Sequence, residues 1–251
     1  MDITSSSAFP LHFATGCQAL ALEIDLTCDL SQIFQIFPLS QPRPVLVLVG
    51  GASGLEQGHW EALTQLFQTV LCPWLQRNGW GVVDGGTQSG VMQLMGEAYA
   101  KTKVDFPLLG VAARGTVALP QETLSATAYQ ARLEPNHPFF CLVEGREWGD
   151  EAPWIAKLAQ LWAGSCPSLT LAINGGGITM QDVAESVKVG RSVVVVEGSG
   201  RTADLLAAAL QGDRSHEQAT QLVASGLIHR IHLNQPPAEF VALFDRLITP
   251  I

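Results

Sequence analysis

Residues 192–202 read SVVVVEGSGRT: four consecutive valines, a glutamate, then Gly-Ser-Gly and an arginine ahead of a helical stretch. A run of β-branched residues is stiff at χ1 and favours extended backbone, and a strand apolar at every position must be covered on both faces. The same pattern recurs along the chain, as VLVLV (45–49), WGVVD (80–84), PLLGVA (107–112), FFCLVE (139–144), LTLAIN (169–174) and LIHRIHL (227–233). Short apolar strands alternating with helical periodicity predict an α/β fold, an open and mainly parallel sheet with helices on both faces.

The helix after the first run shows the expected stripe, with Trp60, Leu63, Phe67, Val70, Leu71 and Trp74 near i, i+3, i+4 and i+7 spacing. Pro73 is expected to kink or end it. The connection from Arg114 to Asn136 shows no clear strand or long apolar helix and reads either as a functional loop or as a surface insertion. Residues 1–44 alternate loosely between apolar and polar positions, as in HFATGCQALALEIDL, and end in a Pro-rich stretch at 38–44. They read as a β-rich N-terminal extension supplying edge strands, ahead of a main domain at 45–251.

The 251 residues, 47% hydrophobic, suffice for one large core. A formal charge of −9 with only 14 Lys and Arg argues against nucleic acid or an anionic membrane as partner, since both call for a basic surface. The opening MDITSSSAFP lacks the basic-then-apolar character of a signal peptide and no apolar run is long enough to span a bilayer, so a cytoplasmic protein is expected. Five widely spaced cysteines (Cys17, Cys28, Cys72, Cys141, Cys166) without a CxxC pair argue against a disulfide framework or a zinc site.

Four strand ends carry glycine turns: VGGASG (49–54), DGGTQSG (84–90), NGGGIT (174–179) and EGSGRT (197–202). In an open parallel sheet the ligand crevice lies outside the carboxyl ends of the strands, so all four can line one cleft. Helices starting there present unpaired N–H groups and about half a positive charge each. Two such ends plus Arg201 supply roughly two positive charges, matching a diphosphate, and Ser199 or Thr202 is placed to cap the last helix. Neither GxGxxG nor GxxxxGK[ST] occurs, so hydride transfer and a kinase-type phosphate loop lack support.

DGGTQSGVMQLMGEA (84–98), LLGVAARGTV (108–117), LEPNHPFFCLVEG (133–145) and especially VVVVEGSGRTADLLA (193–207) resemble, in order, segments of the N-terminal cytosolic region of melastatin-type TRP channels. That region belongs to the LSDAT branch of the SLOG superfamily, and a free-standing chain of this length is similar to its prokaryotic members. The resemblance implies a modified Rossmann-like fold that recognises nucleotide-derived ligands such as ADP-ribose, cyclic ADP-ribose or NAD. By position, Ser89, Gly90 and Val91 match the phosphate-proximal turn, and Arg201 matches the arginine of EGSGR. Arg114 stands where the channel pattern has tryptophan, and Arg146 lies in a shorter turn. The ligand-binding set expected from turns and resemblance together is Gly51, Ala52, Ser53, Gly85, Gly86, Thr87, Ser89, Gly90, Val91, Arg114, Gly175, Gly176, Gly177, Thr179, Glu197, Gly198, Ser199, Gly200 and Arg201.

The same superfamily contains phosphoribohydrolases marked by PGGxGTxxE; here the stretch is NGGGITMQD, with Asp182 in place of the glutamate. Catalytic residues are therefore expected only under a second reading, N-glycosidic hydrolysis of a nucleotide or of NAD, with Asp182 and Glu197 as the acid–base candidates. Glu197, at the cleft mouth, reads equally as a ribose contact or as a partner for a neighbouring turn. His59 and His137 are read first as local structure, and His229 and His232 point to opposite faces of one strand, which excludes a shared metal. The acidic run Glu144, Glu147, Asp150 and Glu151 offers oxygen ligands for Mg, but reads better as a solvated loop, so no metal or cofactor is required. A third reading is an assembly protein with no small-molecule ligand. The helices carrying Trp74, Trp154 and Trp162 are candidates for a homodimer face, although core burial accounts for them too.

Overall fold

Strand VLVLVG at Val45–Gly50 buries every side chain from Val45 to Val49, and its alternation assigns them to two separate cores. Val45, Val47 and Val49 face one hydrophobic cluster, and Leu46 and Leu48 face the other. The computed structural model describes residues 8–25, 28–39, 42–51, 57–124 and 130–248. In chain order the strands are β1 (Phe9–His12), β2 (Gln18–Ile24), β3 (Val45–Gly50), β4 (Gly81–Asp84), β5 (Leu108–Ala113), β6 (Val117–Ala118), β7 (Ala131–Arg132), β8 (Phe139–Val143), β9 (Ser168–Ile173), β10 (Ser192–Glu197) and β11 (Ile228–His232). The helices are α1 (Ile33–Ile36), α2 (Gln57–Leu66), α3 (Cys72–Asn78), α4 (Gly90–Thr102), α5 (Ala152–Ala163), α6 (Gly177–Lys188), α7 (Arg201–Leu210), α8 (Glu217–Val223) and α9 (Pro237–Ile248).

Nine strands form one sheet in the order β1-β2-β8-β5-β4-β3-β9-β10-β11, every pair parallel except β1 with β2. The seven strands expected from the apolar runs are all present, and the helices lie on both faces as an all-parallel interior requires. One face carries α1 and α5 to α8; the other carries α2 to α4 and α9. The chain runs from β3 outward through β4 and β5, then returns to the far side of β3 for β9 and β10. The order therefore reverses between β3 and β9, and a crevice opens at their carboxyl ends.

The N-terminal extension supplies edge strands as expected: β1 and β2 continue the main sheet through the β2–β8 pairing, and a 3-10 turn and α1 follow, with Phe34 stacked on Trp162 at 5.8 Å. Two local expectations need correcting. Pro73 neither ends nor visibly breaks its helix. A π-helical turn at Phe67–Leu71 precedes it, in which the Cys72 N–H donates to the Phe67 carbonyl five residues back, and this wider turn takes up the bond that Pro73 lacks as the helix continues into α3. The connection after β5 is anchored, because β6 pairs with β7 and Thr87 bridges to Leu133. Val117, Leu119 and Leu133 there pack on Phe140 and Leu142 to cover the β1–β2–β8–β5 end of the sheet, burial that local periodicity in so short a segment cannot announce.

Trp74 is buried in the core on one face of the sheet and Trp162 in the core on the other, with Trp154 half-buried against the latter, so core packing accounts for these tryptophans. Trp74 packs on Trp80 at 4.9 Å and on Phe244 of α9 at 5.2 Å, and its indole N–H donates to Asp245. Among the described residues no helix is long and apolar enough to cross a membrane.

Candidate functional site

At the β3/β9 crevice a cavity of about 260 Å³ is lined by the end of β3 (Leu48 to Gly51), the turn after β4 (Gly85, Thr87), the start of α6 (Gly176 to Thr179, then Asp182) and Arg201. Its outer wall comes from Thr116, Trp148, Glu151 and Ile155. That volume lies just below the range usual for pockets that take drug-sized ligands, about 300–1,000 Å³.

One end of the cavity is built by two turns locked together. Asn174, at φ 55°, accepts from the Gly175 N–H with its side-chain oxygen and donates to the Ser199 carbonyl, both at 2.6 Å. Ser199, fully buried, accepts from the Asn174 N–H and donates to the Val196 carbonyl. The first N–H groups of α7 are taken in turn: Thr202 donates to the Gly175 carbonyl and Ala203 to the Asn174 carbonyl. The Thr202 hydroxyl donates to the Gly176 carbonyl. The expected roles of Ser199 and Thr202 as helix cap and anion contact are thus corrected, since both are spent joining the turns.

What this lock leaves open is α6. Its cap is Gly176, with no side-chain cap bond, so the orphan N–H groups of its first turn face the cavity. Arg201 opens α7 in the left-handed region, at φ 52°, which costs a non-glycine residue about 1–2 kcal/mol. A Cβ on Gly176 would stand 2.8 Å from Arg201 Nη2, so glycine there is what lets the guanidinium lie against the α6 cap. One helix end and one arginine amount to about 1.5 positive charges, suited to one phosphate group rather than two.

The opposite end is acidic. Asp182 is only 9% exposed, and its Oδ1 is buried without a hydrogen-bond partner. Burial, reinforced by the charges of Glu151 and Glu185, holds its pKa well above the usual carboxylate range. Burial also raises Glu151, despite the bond its Oε2 accepts from the Gly149 N–H at 3.1 Å. Gln181 fixes this wall by donating to the Gly149 carbonyl. Asp150 is spent accepting from the Arg146 and Glu147 N–H groups. Among the described residues no group of three or more His, Cys, Asp or Glu is arranged to hold a metal ion.

Behind the β4 turn lies a buried Asp84–His137–Glu134 network. His137 Nε2 meets Asp84 at 3.0 Å and Nδ1 meets Glu134 at 2.8 Å. Burial alone would lower the His137 pKa, but the two carboxylates overcome it and raise it to about 9, leaving an imidazolium at neutral pH. Asp84 Oδ1 also accepts from the Gly86 N–H at 2.8 Å, which holds the 84–87 turn against the cavity. A Cβ on Gly96 of α4 would fall 1.9 Å from Glu134 Oε2, so only glycine admits that carboxylate beside the helix.

Of the residues expected from sequence, Gly51, Gly85, Thr87, Gly176, Gly177, Thr179, Arg201 and Asp182 line the cavity. Ala52 and Ser53 lie outside the described residues. Ser89, Gly90 and Val91 start α4 just beneath it, the Val91 N–H donating to the Gly51 carbonyl, and none of the three lines the wall. Gly86 packs on Gly110 and Phe140, Gly175 on Thr179, Gly198 on His232 and Gly200 on Asn174, so these four shape turns. Glu197 is turned away, held by Arg230 of β11 and by Gln211, because it ends its strand on the side of the neighbouring edge. Arg114 is bound to Glu23, Glu122 and the Val117 carbonyl beside a separate groove of about 450 Å³. Sequence reasoning missed Met92, Thr116, Trp148 and Ile155. The one readable signal was Trp148 itself, an aromatic set between acids and glycine ahead of a helix.

A protein-family model described as "SLOG in TRPM, prokaryote" matches residues 43–242. Among curated proteins, Transient receptor potential cation channel subfamily M member 2 of Mus musculus is 27% identical over 211 residues, 69% of this chain and 14% of the channel. A subfamily M member-like 2 channel of Nematostella vectensis is 26% identical, covering 73% and 14% respectively. The chain therefore spans about one seventh of the length of these channels. Among solved structures, the molybdenum cofactor binding protein of Rippkaea orientalis superposes with a TM-score of 0.53 at 14% identity, over 84% of this chain and all of that one. The structural-genomics target TM1055 superposes with a TM-score of 0.54 at 15% identity, over 81% and 99%. Likeness at this identity establishes the mainly parallel, Rossmann-like fold.

Proposed function

This chain belongs to the prokaryotic family of SLOG domains related to TRPM channels, and on that premise we propose that it binds a nucleotide-derived ligand of the ADP-ribose type at the β3/β9 crevice. The observation that carries the proposal is Arg201, kept in left-handed backbone against the uncapped start of α6. Strain of this kind at a cleft is characteristic of ligand clamps. One phosphate of the ligand takes the Arg201 and α6 end, and the rest of the molecule runs past Trp148 toward Asp182 or out of the mouth. The net charge of −9 leaves nucleic acid and anionic membranes out of this reading, which needs no metal or cofactor and fits a cytoplasmic sensor, as a monomer or a homodimer.

A second reading, N-glycosidic hydrolysis, is favoured by one observation: Asp182 is a buried carboxyl whose pKa burial raises well above the usual carboxylate range, the direction a general acid needs. Glu197 has no part in it, being held by Arg230. Isothermal titration with ADP-ribose, its cyclic forms and NAD, with chromatography of the same mixtures, separates the two. Saturable binding without products, lost in Arg201→Ala, supports the sensor; released base or ribose phosphate replaces it with the enzyme; silence in both assays sinks both.

A further inference from the structure

We propose that Asp182 and Glu151 form the base-reading end of the cleft, where the Asp182 carboxyl pairs with a planar heterocycle or carboxamide edge that offers one hydrogen-bond acceptor beside one donor. This rests on the nucleotide-binding reading above and assigns the part of the ligand that the phosphate end leaves over.

Three observations converge on it. Asp182 Oδ1 is buried with its hydrogen bond unmade, a costly condition that turning the carboxyl toward a ligand in the cavity would relieve. The side chain lines the same cavity as Arg201, five residues along α6 from its first residue, or about 7.5 Å by helical rise, a spacing that a sugar spans between phosphate and base. Trp148, Ile155 and Ile178 share this cavity and suit a flat, weakly hydrated ring better than an ion.

The charge state decides which chemistry the carboxyl reads. The charged groups facing Asp182 are Glu151 ahead of α5, Glu185 on its own helix and, across the cavity, Arg201 of α7. Beneath α6, strands β3, β9 and β10 present apolar side chains and Thr170, which is bonded to Ser186; Lys157 of α5 is exposed, and α8 contributes Ala219. With two carboxylates as its near neighbours and no cation bound to it, burial raises the Asp182 pKa and favours the protonated carboxyl. A neutral carboxyl presents one O–H donor and one carbonyl acceptor, the complement of an amide or a base edge, whereas an ionised one presents acceptors alone.

The test is calorimetric titration of ADP-ribose into the wild type, Asp182→Asn and Asp182→Ala between about pH 6 and about pH 9. The amide keeps one donor and one acceptor, so Asp182→Asn is expected to bind within about threefold of wild type, and Asp182→Ala about tenfold or more weakly. Only the protonated acid binds in this scheme. Wild-type affinity is therefore expected to fall, approaching tenfold per pH unit once above the Asp182 pKa, while Asp182→Asn stays flat over the same range. The pH contrast is a readout that a merely structural role would not produce. The proposal is overturned if Asp182→Ala binds like wild type, if Asp182→Asn is as weak as Asp182→Ala, or if wild-type affinity is the same on both sides of the Asp182 titration followed by NMR in the same samples. Binding that Arg201→Ala abolishes but Asp182 does not influence would leave the nucleotide reading standing and remove this one; no binding by the wild type would remove both.

Discussion

Raising the pH discharges a buried imidazolium, and the fold is expected to weaken as it does so. His137 is fully buried between Asp84 and Glu134, and its pKa rises from 6.5 to about 9. That rise corresponds to about 3 kcal/mol at about 1.4 kcal/mol per pH unit, a large share of the roughly 5–15 kcal/mol that holds a domain folded. The folded pKa lies above the unfolded one. The contribution is therefore complete below pH 6.5, declines as the pH rises and is gone above about 9. Urea unfolding at a series of pH values across this window, with m-values checked for constancy, measures the loss. The series belongs in an Asp182→Asn background, because the Asp182 pKa is also raised in the fold and its titration has the same sign of effect on stability. Its companion is the NMR titration of the His137 ring. A stability that stays level between pH 6.5 and about 9, or a ring that titrates near its ordinary 6.5, would refute the reasoning.

Three further outcomes follow from the geometry. Gly96→Ala should cost about 3 kcal/mol or more in thermal or urea unfolding, since its Cβ would displace the Glu134 carboxylate from His137. Arg201→Gly should stabilise the fold by about 1 kcal/mol, by releasing a left-handed non-glycine residue, while weakening nucleotide binding at least about tenfold; loss of stability together with binding would assign Arg201 a structural role instead. Asn174→Ala removes two bonds of 2.6 Å and leaves alanine at φ 55°, so a loss of about 2–4 kcal/mol is expected, with weakened binding where the two turns no longer hold each other.

The sheet was legible because each central strand is an uninterrupted apolar run closed by glycine, a local signal that survives without tertiary context. The crevice followed from chain order alone, which is why Gly51, Gly176 and Arg201 fell on its wall. What stayed hidden depends on partners far along the chain. Glu197 reads as a cleft carboxylate until Arg230, on the neighbouring edge strand, claims it. The start of α7 reads as an anion site until the carbonyls of Asn174 and Gly175 fill its N–H groups. Gly96 looks like an ordinary helical glycine, and nothing local ties it to a glutamate in another segment. Trp148 lines the cavity from a loop that Gln181 of α6, far along the chain, holds through the Gly149 carbonyl.

The π-helical turn at Phe67–Leu71 also shows where this fold can change length inside a helix. Removing one of those residues would restore regular α geometry and leave Trp74 on Trp80 and Phe244, because the wider turn holds one more residue in about the same rotation. Pro73 is what resists that change, since in an unbroken α-helix it would lose a backbone bond and crowd the carbonyl one turn back. Relatives that keep the tryptophan pair but lack this proline should therefore align here with a single-residue gap.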